Sequence, residues 1–265
     1  MTILDQIIAD KKIEVEERKL AQPYNQLKYL SKLERKGVSL KEKLLSRSGI
    51  IAEFKRKSPS KGVIRENADV KSITQDYQNA GAAACSILTD KKYFNGSNQD
   101  ILDARPGLII PILRKEFIID PYQIIEAKII GADIVLLIAE CLTKSEINEF
   151  CKIAHDLDLE VLMELHFDEE LDKWNPDIDM LGINNRNLKS FETGIERSVF
   201  MADKLPKESI WISESGLKGP EELAVLSAIG YRGFLIGETF MKAEDPGALC
   251  EKLVNSLSKL QVYES

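Results

Sequence analysis

From about residue 49 to the end of the chain, short runs of Ile, Leu and Val alternate with longer stretches in which apolar residues recur at helical spacing. Nearly continuous apolar runs alternating with helices are typical of parallel strands covered by helices. Eight such runs occur, and their first residues lie between 20 and 33 positions apart, enough for one strand, one helix and two loops. The predicted strands are 49–55, 82–89, 108–115, 133–140, 159–165, 180–184, 209–215 and 233–238.

Helical patterns fill the gaps between these strands. The pairs Asp120-Pro121, Gly219-Pro220 and Asp245-Pro246 each mark a helix start, because proline at the first helical position loses no hydrogen bond. Eight strand–helix units favour a closed (β/α)8 TIM barrel over an open doubly wound sheet, and no GxGxxG or GxxxxGK[ST] motif follows the first strand. The predicted helices are 70–80, 121–130, 144–156, 196–204, 220–229 and 246–260.

Residues 1–48 lie outside the eightfold pattern and predict two or three amphipathic helices before the first strand. No Pro/Gly/Ser-rich linker or block of like charge separates them from the rest. We therefore expect one α/β domain over residues 1–265. Its N-terminal helical extension, 1–48, should pack on a barrel formed by 49–265 and help to cover the barrel mouth.

Length and charge agree with a soluble barrel enzyme. The 265 residues suit one such barrel, and 36 Lys+Arg against 43 Asp+Glu give a net charge of −7. This balance argues against nucleic-acid or membrane partners, which need excess positive charge, but not against a local basic pocket for a small anion. The N-terminus lacks the features of a signal or transit peptide, and no apolar run approaches ~20 residues. We expect a cytoplasmic monomer, or at most a weak dimer.

The cysteines and histidines form no recognisable site pattern. The four cysteines, Cys85, Cys141, Cys151 and Cys250, are scattered, with no CxxC pair and no metal-ligand spacing. The two histidines, at positions 155 and 166, fit neither a zinc motif nor a catalytic triad. We expect the cysteines to be small buried apolar residues in a reducing compartment.

Charged residues gather at the C-terminal ends of the predicted strands, where barrel enzymes build their active sites. Because side chains alternate along a strand, several of these charges share a face with apolar core positions and should converge on one pocket. Two lysines and two glutamates held together would shift each other's pKa values, which suits proton transfer. One such charge is more often a solvated ion pair, but several in register favour a site. The strand-end charges are Glu53, Lys55, Lys115, Glu140, Glu164 and Glu214, and Asn184 lies on a matching face.

Small residues follow the last two strands. Ser215-Gly216 comes after the seventh strand and Gly237 after the eighth, at the loops where barrels often bind phosphate through backbone N–H groups. Each glycine alone could simply allow a tight turn, but the pair favours a phosphorylated small-molecule substrate. The basic loop containing Ser58, together with Arg186, lies close enough in the predicted barrel to contact an anion.

Several segments together resemble the indole-3-glycerol phosphate synthase family. The motifs are IIAEFKRKSPSKG, SILTDKKYFNGS, PILRKEFIIDPYQI, VLMELH, LGINNRNL, ISESG and FLIGETFM, and the similarity extends from about residue 5 to residue 250. The resemblance implies a (β/α)8 barrel with an N-terminal helical extension. It also implies a carboxy-lyase of tryptophan biosynthesis, which converts 1-(2-carboxyphenylamino)-1-deoxyribulose 5-phosphate into indole-3-glycerol phosphate, CO2 and water. No metal and no organic cofactor is implied.

The same resemblance implies roles for individual residues. Lys115 is expected to protonate the carbonyl oxygen during ring closure, and Glu164 to stabilise positive charge on the anilino nitrogen. Lys55 is expected to contact the substrate carboxylate, and which of Glu53, Glu164 and Lys55 serves the dehydration remains open. The implied catalytic set is Glu53, Lys55, Lys115, Glu164, Asn184 and Ser215.

The implied substrate-binding set divides into three groups. Phosphate contacts are expected from Ser58, Ser215, Gly216, Gly237 and the backbone of Glu238, where some family members carry serine. The anthranilate ring is expected to lie between Leu88, Phe94, Phe117 and Leu235. Arg186 and Glu214 are expected to hold the network in place.

Two other functions compete with this one. An isomerase acting on a related aminosugar phosphate calls for a Cys/Asp acid–base pair at opposite strand ends, whereas the first strand here ends in Glu53-Phe54-Lys55. A non-catalytic barrel that senses a ligand or acts as a scaffold would not need the lysine–glutamate set, and the presence of that set argues against it.

Overall fold

The computed structural model describes residues 2–27, 31–187 and 192–262. Eight parallel strands close into a barrel in which each strand pairs with its neighbours along the chain and the last pairs with the first. The predicted (β/α)8 barrel is therefore confirmed. The strands are β1 (Gly49–Phe54), β2 (Ala84–Leu88), β3 (Ile112–Lys115), β4 (Ile134–Ile138), β5 (Glu160–Leu165), β6 (Met180–Asn184), β7 (Ile210–Glu214) and β8 (Gly233–Ile236).

All eight predicted runs contain a strand, and the largest difference is at the third. The prediction began it at residue 108, but β3 begins at Ile112. The preceding residue is Pro111, which has no N–H to donate to a neighbouring strand, although its carbonyl accepts from the backbone N–H of Cys85. Ile109 is 80% exposed, so this apolar stretch lies partly outside the core.

The six predicted helices are present, and three of them are shorter than predicted at their C-terminal ends. The helix from Pro121 ends at Gly131, whose φ of 104° lies in the left-handed region that glycine adopts without strain. The helices are α1 (Ile3–Ala21), α2 (Tyr24–Leu27), α3 (Leu40–Ser46), α4 (Val70–Asn79), α5 (Lys91–Phe94), α6 (Asn98–Ala104), α7 (Pro121–Ile130), α8 (Lys144–Asp156), α9 (Glu196–Met201), α10 (Pro220–Ala228), α11 (Glu238–Lys242) and α12 (Pro246–Val262).

Shorter elements complete the chain. Single 3-10 turns occupy Ser31–Glu34, Arg105–Gly107, Ala139–Cys141 and Asp168–Lys173. In the loop after β1, Lys57–Ser58 pairs antiparallel with Gly62–Val63. This small hairpin folds the predicted basic loop back over the C-terminal end of the barrel.

Side-chain alternation along the strands separates two apolar cores. Ile51 points into the barrel interior, whereas Ala52 and Phe54 pack outward against the helices, as the period-two pattern predicts. Interior packing fills the lower part of the barrel and leaves the upper ends of the strands to polar side chains. The interior core contains Ile51, Ala84, Leu113, Ile134, Leu136, Ile138, Leu162, Met180, Ile210, Ile212 and Leu235, with Leu40 and Leu44 from α3.

The N-terminal segment contacts both ends of the barrel. Leu40 and Leu44 of α3 are fully buried in the interior core and close its N-terminal end. Helix α1 begins at a capping box formed by Thr2 and Asp5 and runs past the opposite end, where Lys11 pairs with Asp90 at 2.8 Å. One extension thus supplies both a plug for the barrel and part of the wall of its mouth.

All four cysteines are free thiols, and three of them are buried. Burial raises the pKa of the Cys151 and Cys250 thiols to about 12. These thiols therefore behave as small apolar side chains. Over the described ranges, no helix is both long and apolar enough to cross a membrane.

Candidate active site

The ends of the strands surround a cavity of about 160 Å³ at the C-terminal mouth of the barrel. Most of the predicted site residues line it, although they come from seven of the eight strands and the loops beyond them. Residues from sequence positions 53 to 235 are brought together because parallel barrel strands all end at the same rim. Thirteen predicted residues line this cavity: Glu53, Lys55, Ser58, Leu88, Phe94, Lys115, Phe117, Glu164, Asn184, Arg186, Glu214, Ser215 and Leu235.

Lys115 lies at the centre of the polar part of this cavity. Its Nζ atom is 2.5 Å from Oε2 of Glu164 and 2.5 Å from Oε2 of Glu214. The two glutamates come from β5 and β7, and Glu164 is 3% and Glu214 1% exposed. One ammonium group is therefore shared by two buried carboxylates.

Burial and charge act in opposite directions on this cluster. Burial alone would lower the pKa of Lys115, but three neighbouring glutamates outweigh burial and raise it above the ordinary lysine value. Burial would raise the pKa of Glu164, but Lys115 and His166 hold it below its usual range. Burial and the charge of Glu164 raise the pKa of Glu214 to about 8 against the attraction of Lys115. The cluster thus contains a charged lysine, an ionised glutamate and a glutamate that holds a proton near neutral pH.

Glu53 and Lys55 form a second ion pair at the end of β1. The Nζ of Lys55 donates to Oε1 of Glu53 at 2.8 Å, and the Oγ of Ser86 lies 3.4 Å from Oε2. Glu53 is 4% exposed, whereas the side chain of Lys55 is 13% exposed and faces the cavity. Lys55 is thus held by a buried carboxylate while its ammonium group remains able to contact a ligand.

Asn184 links the central cluster to the loop beyond β6. Its Nδ2 donates to Oε1 of Glu164 at 3.0 Å, and its Oδ1 accepts from the backbone N–H of Arg186 at 3.0 Å. The guanidinium of Arg186 donates to Oγ of Ser60 at 3.1 Å and to Oε2 of Glu238 at 3.2 Å. Arg186 therefore connects the loops that follow the first, sixth and eighth strands.

An apolar wall faces these charges. The rings of Phe94 and Phe117 lie with centroids 6.2 Å apart and planes inclined by 39°, and Leu88 and Leu235 line the same cavity. Further apolar side chains come from strand β4 and from helix α1: Leu136, Ile138, Ile3, Leu4 and Ile7. The cavity can therefore hold a flat apolar ring beside a line of charged groups.

A second cavity of about 290 Å³ adjoins the first and shares Glu53, Lys55 and Ser215 with it. The remaining predicted residues lie here, in the loops after β7 and β8, and Ser215 and Gly216 both adopt positive φ. The cavity is basic, because five cationic side chains line it against two glutamates. Its lining includes Gly216, Gly237 and Glu238 with Lys55, Lys61, Arg186, Lys218 and Lys242.

Glu238 departs from the serine found in some family members, and its side chain is already engaged. Oε2 accepts from Arg186, and Oε1 accepts from Nζ of Lys242 at 2.6 Å. Burial would raise the pKa of Glu238, but these two cations hold it below its usual value. The Glu238 side chain is thus engaged by two cations, so a contact with an anion at this position would have to use the backbone N–H.

Two polar residues escaped sequence reasoning. Asn185 is 5% exposed and donates from Nδ2 to Oγ of Ser213 at 3.0 Å and to the carbonyl of Ser215 at 3.1 Å, which fixes the loop after β7. His166 follows Glu164 on the same face of β5, and its Nε2 lies 3.3 Å from Oε1 of Glu164. Period-two alternation along β5 is the signal that could have found His166.

Two carboxylates and an imidazole lie close together near the mouth. Within the part of the chain that the structure describes, one polar side-chain atom each of Glu140, His166 and Glu170 lie within 4.8 Å of one another. The Oε2 of Glu170 already accepts from the backbone N–H of His166 at 2.7 Å and of Phe167 at 3.1 Å. This carboxylate is therefore engaged in ordering the turn.

Comparison with known proteins gives a consistent result. A family model described as indole-3-glycerol phosphate synthase matches residues 4–253. A protein of that name from Bacteroides thetaiotaomicron is 50% identical over 260 residues, covering 98% of this chain and 99% of the relative. Another from Polynucleobacter asymbioticus is 40% identical over 264 residues, covering 95% and 98%.

Solved structures agree on the fold alone. A thiamine phosphate pyrophosphorylase from Pyrococcus furiosus superimposes with a TM-score of 0.60 at 16% identity, covering 84% of this chain and 99% of that one. At this identity the similarity describes a shared barrel architecture and carries no information about the reaction.

Proposed function

The chain belongs to the indole-3-glycerol phosphate synthase family of carboxy-lyases in tryptophan biosynthesis, and we propose that the Lys115 cluster at its barrel mouth is the catalytic centre. The substrate is 1-(2-carboxyphenylamino)-1-deoxyribulose 5-phosphate. One observation carries the assignment: Lys115 lies between two buried glutamates, 2.5 Å from each, beside an apolar wall that fits an aromatic ring.

The reaction requires proton donors on one side of a flat ring. The ring carbon that bears the carboxylate attacks the ketone carbon, and the ketone oxygen takes up a proton. The bond to the carboxylate then breaks, CO2 leaves, and its electron pair restores the aromatic ring. Finally the new hydroxyl leaves as water with a second proton, while the adjacent CH2 group loses one proton to form the indole double bond.

Lys115 is the donor to the ketone oxygen. Its raised pKa keeps Lys115 charged before the reaction. As negative charge develops on the ketone oxygen, that oxygen becomes a stronger base than the lysine amine and takes the proton. Glu164 is ionised beside it and stabilises the positive charge that develops on the anilino nitrogen as the ring carbon attacks. Asn184 orients Glu164 through its 3.0 Å hydrogen bond.

Dehydration falls to the second ion pair. Lys55 contacts the substrate carboxylate before decarboxylation and donates a proton to the departing hydroxyl afterwards. Glu53 takes up the proton that the CH2 group loses and returns it to Lys55, whose Nζ lies 2.8 Å away. Because Glu53 is buried, the pair works in an environment where charge–charge interactions are stronger than in water.

The two cavities divide the rest of the substrate. The anthranilate ring lies between Phe94, Phe117, Leu88 and Leu235 in the apolar half of the first cavity. The phosphate binds in the basic second cavity, at Ser215, Gly216, Gly237 and the backbone of Glu238, with Arg186 close by, and Ser58 approaches it from the adjoining first cavity. We further propose that the enzyme works in the cytoplasm, since its charged substrate is confined to the aqueous phase, and that it is a monomer or at most a weak dimer.

A fluorescence assay tests the proposal. Purified protein is mixed with the carboxyphenylamino-deoxyribulose phosphate, and indole emission is followed over time. Emission from the wild-type chain that is lost in a folded Lys115→Met variant supports both reaction and residue. A folded wild-type sample that binds the substrate and yields no indole emission contradicts the proposal.

A further inference from the structure

The proposed reaction consumes one proton in each turnover. Two protons are donated, one to the ketone oxygen and one to the departing hydroxyl, and one is recovered from the CH2 group. The substrate carboxylate leaves as neutral CO2, so its negative charge must be balanced by a proton from solvent. The donor cluster must therefore be reloaded once per cycle, although Glu164 and Glu214 beside Lys115 are almost completely buried.

His166 occupies a position that suits this reloading. Its side chain is 3% exposed, with Nε2 3.3 Å from Oε1 of Glu164 and Nδ1 3.6 Å from Oε2 of Glu140. Among the described residues, neither ring nitrogen has a hydrogen-bond partner of good geometry. A buried imidazole without such bonds costs stability, so its presence between two carboxylates calls for a functional explanation.

Two cavities meet at this histidine. His166 lines the substrate cavity and also a separate cavity of about 180 Å³ bounded by the start of α1, Glu140, Phe167 and Arg197. The side chain of Glu140 is 30% exposed at the outer end, whereas Glu164 is 4% exposed at the inner end. His166 thus separates a solvent-accessible carboxylate from a catalytic one.

The contacts form an unbroken line from solvent to the general acid. Successive distances are 3.6 Å from Glu140 to His166, 3.3 Å from His166 to Glu164, and 2.5 Å from Glu164 to Lys115. Small rotations of the ring bring each nitrogen into hydrogen-bond range of the carboxylate beside it. Imidazole can accept a proton at one nitrogen and release a proton from the other, which suits transfer along such a line.

Charged groups from every neighbouring element face this line. Acidic groups predominate: Glu164 on β5, Glu140 and Glu170 on the two 3-10 turns, and Asp5 of α1, whose charge acts on Glu140. Burial, with these like charges, raises the pKa of Glu140 despite the attraction of His166. The cations have other partners: Lys173 donates to the carbonyls of Ala139 and Leu142, and Arg197 to that of Asn184.

We infer that Glu140 and His166 conduct protons from solvent to Glu164, which reloads Lys115 after each turnover. A proton from solvent reaches Nδ1 by way of Glu140, and the imidazolium releases the proton on Nε2 to Oε1 of Glu164. The carboxyl group of Glu164 then turns about its Cγ–Cδ bond and passes that proton to neutral Lys115, while rotation of the imidazole ring restores the starting tautomer of His166. One proton enters, Lys115 becomes an ammonium again, and Glu164 returns to its ionised state. His166 is a positioning and relay residue that acts through Glu164, and the inference rests on the proposed role of Lys115.

A comparison of the first-turnover rate with the steady-state rate tests the relay. Because Lys115 starts protonated, a His166→Gln variant should complete its first turnover within about 2-fold of the wild-type rate, while its steady-state kcat falls about 10-fold. Rapid mixing should then show a burst of product of about one equivalent per site. Imidazole added to the buffer should restore much of kcat, since it delivers protons in place of the missing side chain.

His155→Gln is the matched control, because it makes the same change at a partly exposed histidine of α8 that pairs with Asp179 away from the mouth. It should show no burst and no response to imidazole. Glu140→Gln tests the outer end of the line and, at a partly exposed position, leaves the core undisturbed; it should also lower kcat more than the first-turnover rate.

Two results would overturn the relay. An unchanged kcat in folded His166→Gln, with no burst in Glu140→Gln, shows that protons enter elsewhere. An equal loss in first-turnover and steady-state rates, without imidazole rescue, shows that His166 only holds Glu164 in place. Lys115→Met, measured alongside, separates these failures from failure of the proposed function, because an active Lys115→Met refutes the catalytic assignment itself.

Discussion

The Oε2 atom of Glu214 lies 2.5 Å from the Nζ atom of Lys115, and yet the carboxyl group favours its neutral form. Burial is the main cause, and the nearby charge of Glu164 adds to it, so that the pKa of Glu214 rises to about 8 despite the attraction of Lys115. Below this pH the cluster of Lys115, Glu164 and Glu214 carries one proton more than it would with both carboxylates ionised and the lysine charged. The pH dependence of the enzyme should reveal that proton.

We predict that kcat/KM falls as pH rises through about 8, because ionised Glu214 then places a further negative charge beside Lys115 and makes its ammonium group a weaker acid. Glu214→Gln keeps a neutral side chain at every pH, so the fall near pH 8 should disappear and only a limb at higher pH should remain. A pH–rate profile of both proteins from pH 5 to 10 measures this. An unchanged limb in the variant assigns it to another group.

Folding stability should change with pH in the same region. The pKa of Glu214 is about 8 in the folded chain and near the ordinary glutamate value of 4.5 in the unfolded chain, so the folded state binds the proton more tightly. Glu214 therefore lowers the unfolding free energy progressively as pH rises from about 4.5 to about 8. Glu214→Gln should raise Tm more at pH 9 than at pH 5, and equal shifts at both values would contradict this.

Replacing the general acid should affect chemistry more than binding. Lys115→Met keeps an unbranched side chain of similar length and should lower kcat by about 10²-fold or more with a small change in KM. Circular dichroism checks that the variant folds, since two buried glutamates lose their shared cation. Lys92→Met, at an exposed lysine that pairs with Asp10, serves as the control and should leave kcat unchanged. A Lys115→Met enzyme within a few-fold of wild type refutes the assignment.

Gly237 separates the phosphate loop from the catalytic ion pair. A Cβ atom at this position would lie 2.3 Å from Oε1 of Glu53 and 3.0 Å from its Cβ, so even alanine displaces that buried carboxylate. Gly237→Val should therefore raise KM by crowding the phosphate and should also lower kcat by moving Glu53 away from Lys55. Gly219→Ala, where the nearest atom is 3.8 Å away, is the control. Steady-state kinetics that show neither change in a folded variant would reject a phosphate site here.

The sequence predicts the barrel well because one local rule generates it. Each β-strand needs a short apolar run, and where a strand is shorter than its run the cause is local. Before β3, for example, Pro111 can accept a hydrogen bond through its carbonyl but has no N–H to donate to the sheet. The charged strand ends were equally visible, since alternation places Glu53 and Glu164 on inward faces. Such arguments use only residues that are close along the chain.

Features that depend on distant segments escaped the sequence. Gly182 illustrates this, because a side chain there would lie 2.2 Å from Oε1 of Glu214, a residue 32 positions away that the sequence cannot place beside it. Alternation along β5 could have placed His166 beside Glu164, two residues away, but its other partner, Glu140, lies 26 residues away at the end of a different strand. Likewise, only the three-dimensional contacts show that α3 closes the N-terminal end of the barrel while α1 lines its mouth.

That division gives a last prediction, in which two apolar residues of the same N-terminal segment have different effects. Leu44 is fully buried in the interior core beneath the site, so Leu44→Ala should lower the unfolding free energy by about 2–5 kcal/mol and leave KM unchanged. Ile7 lines the substrate cavity, so Ile7→Ala should raise KM by about 10-fold at a smaller cost in stability. Urea unfolding and steady-state kinetics on both variants separate the two effects.

A Leu44→Ala enzyme with raised KM, or an Ile7→Ala enzyme with wild-type KM and reduced stability, would show that the segment acts as one structural unit. Deletion of residues 1–45 would then be expected to unfold the barrel, because it removes the plug together with the wall of the mouth.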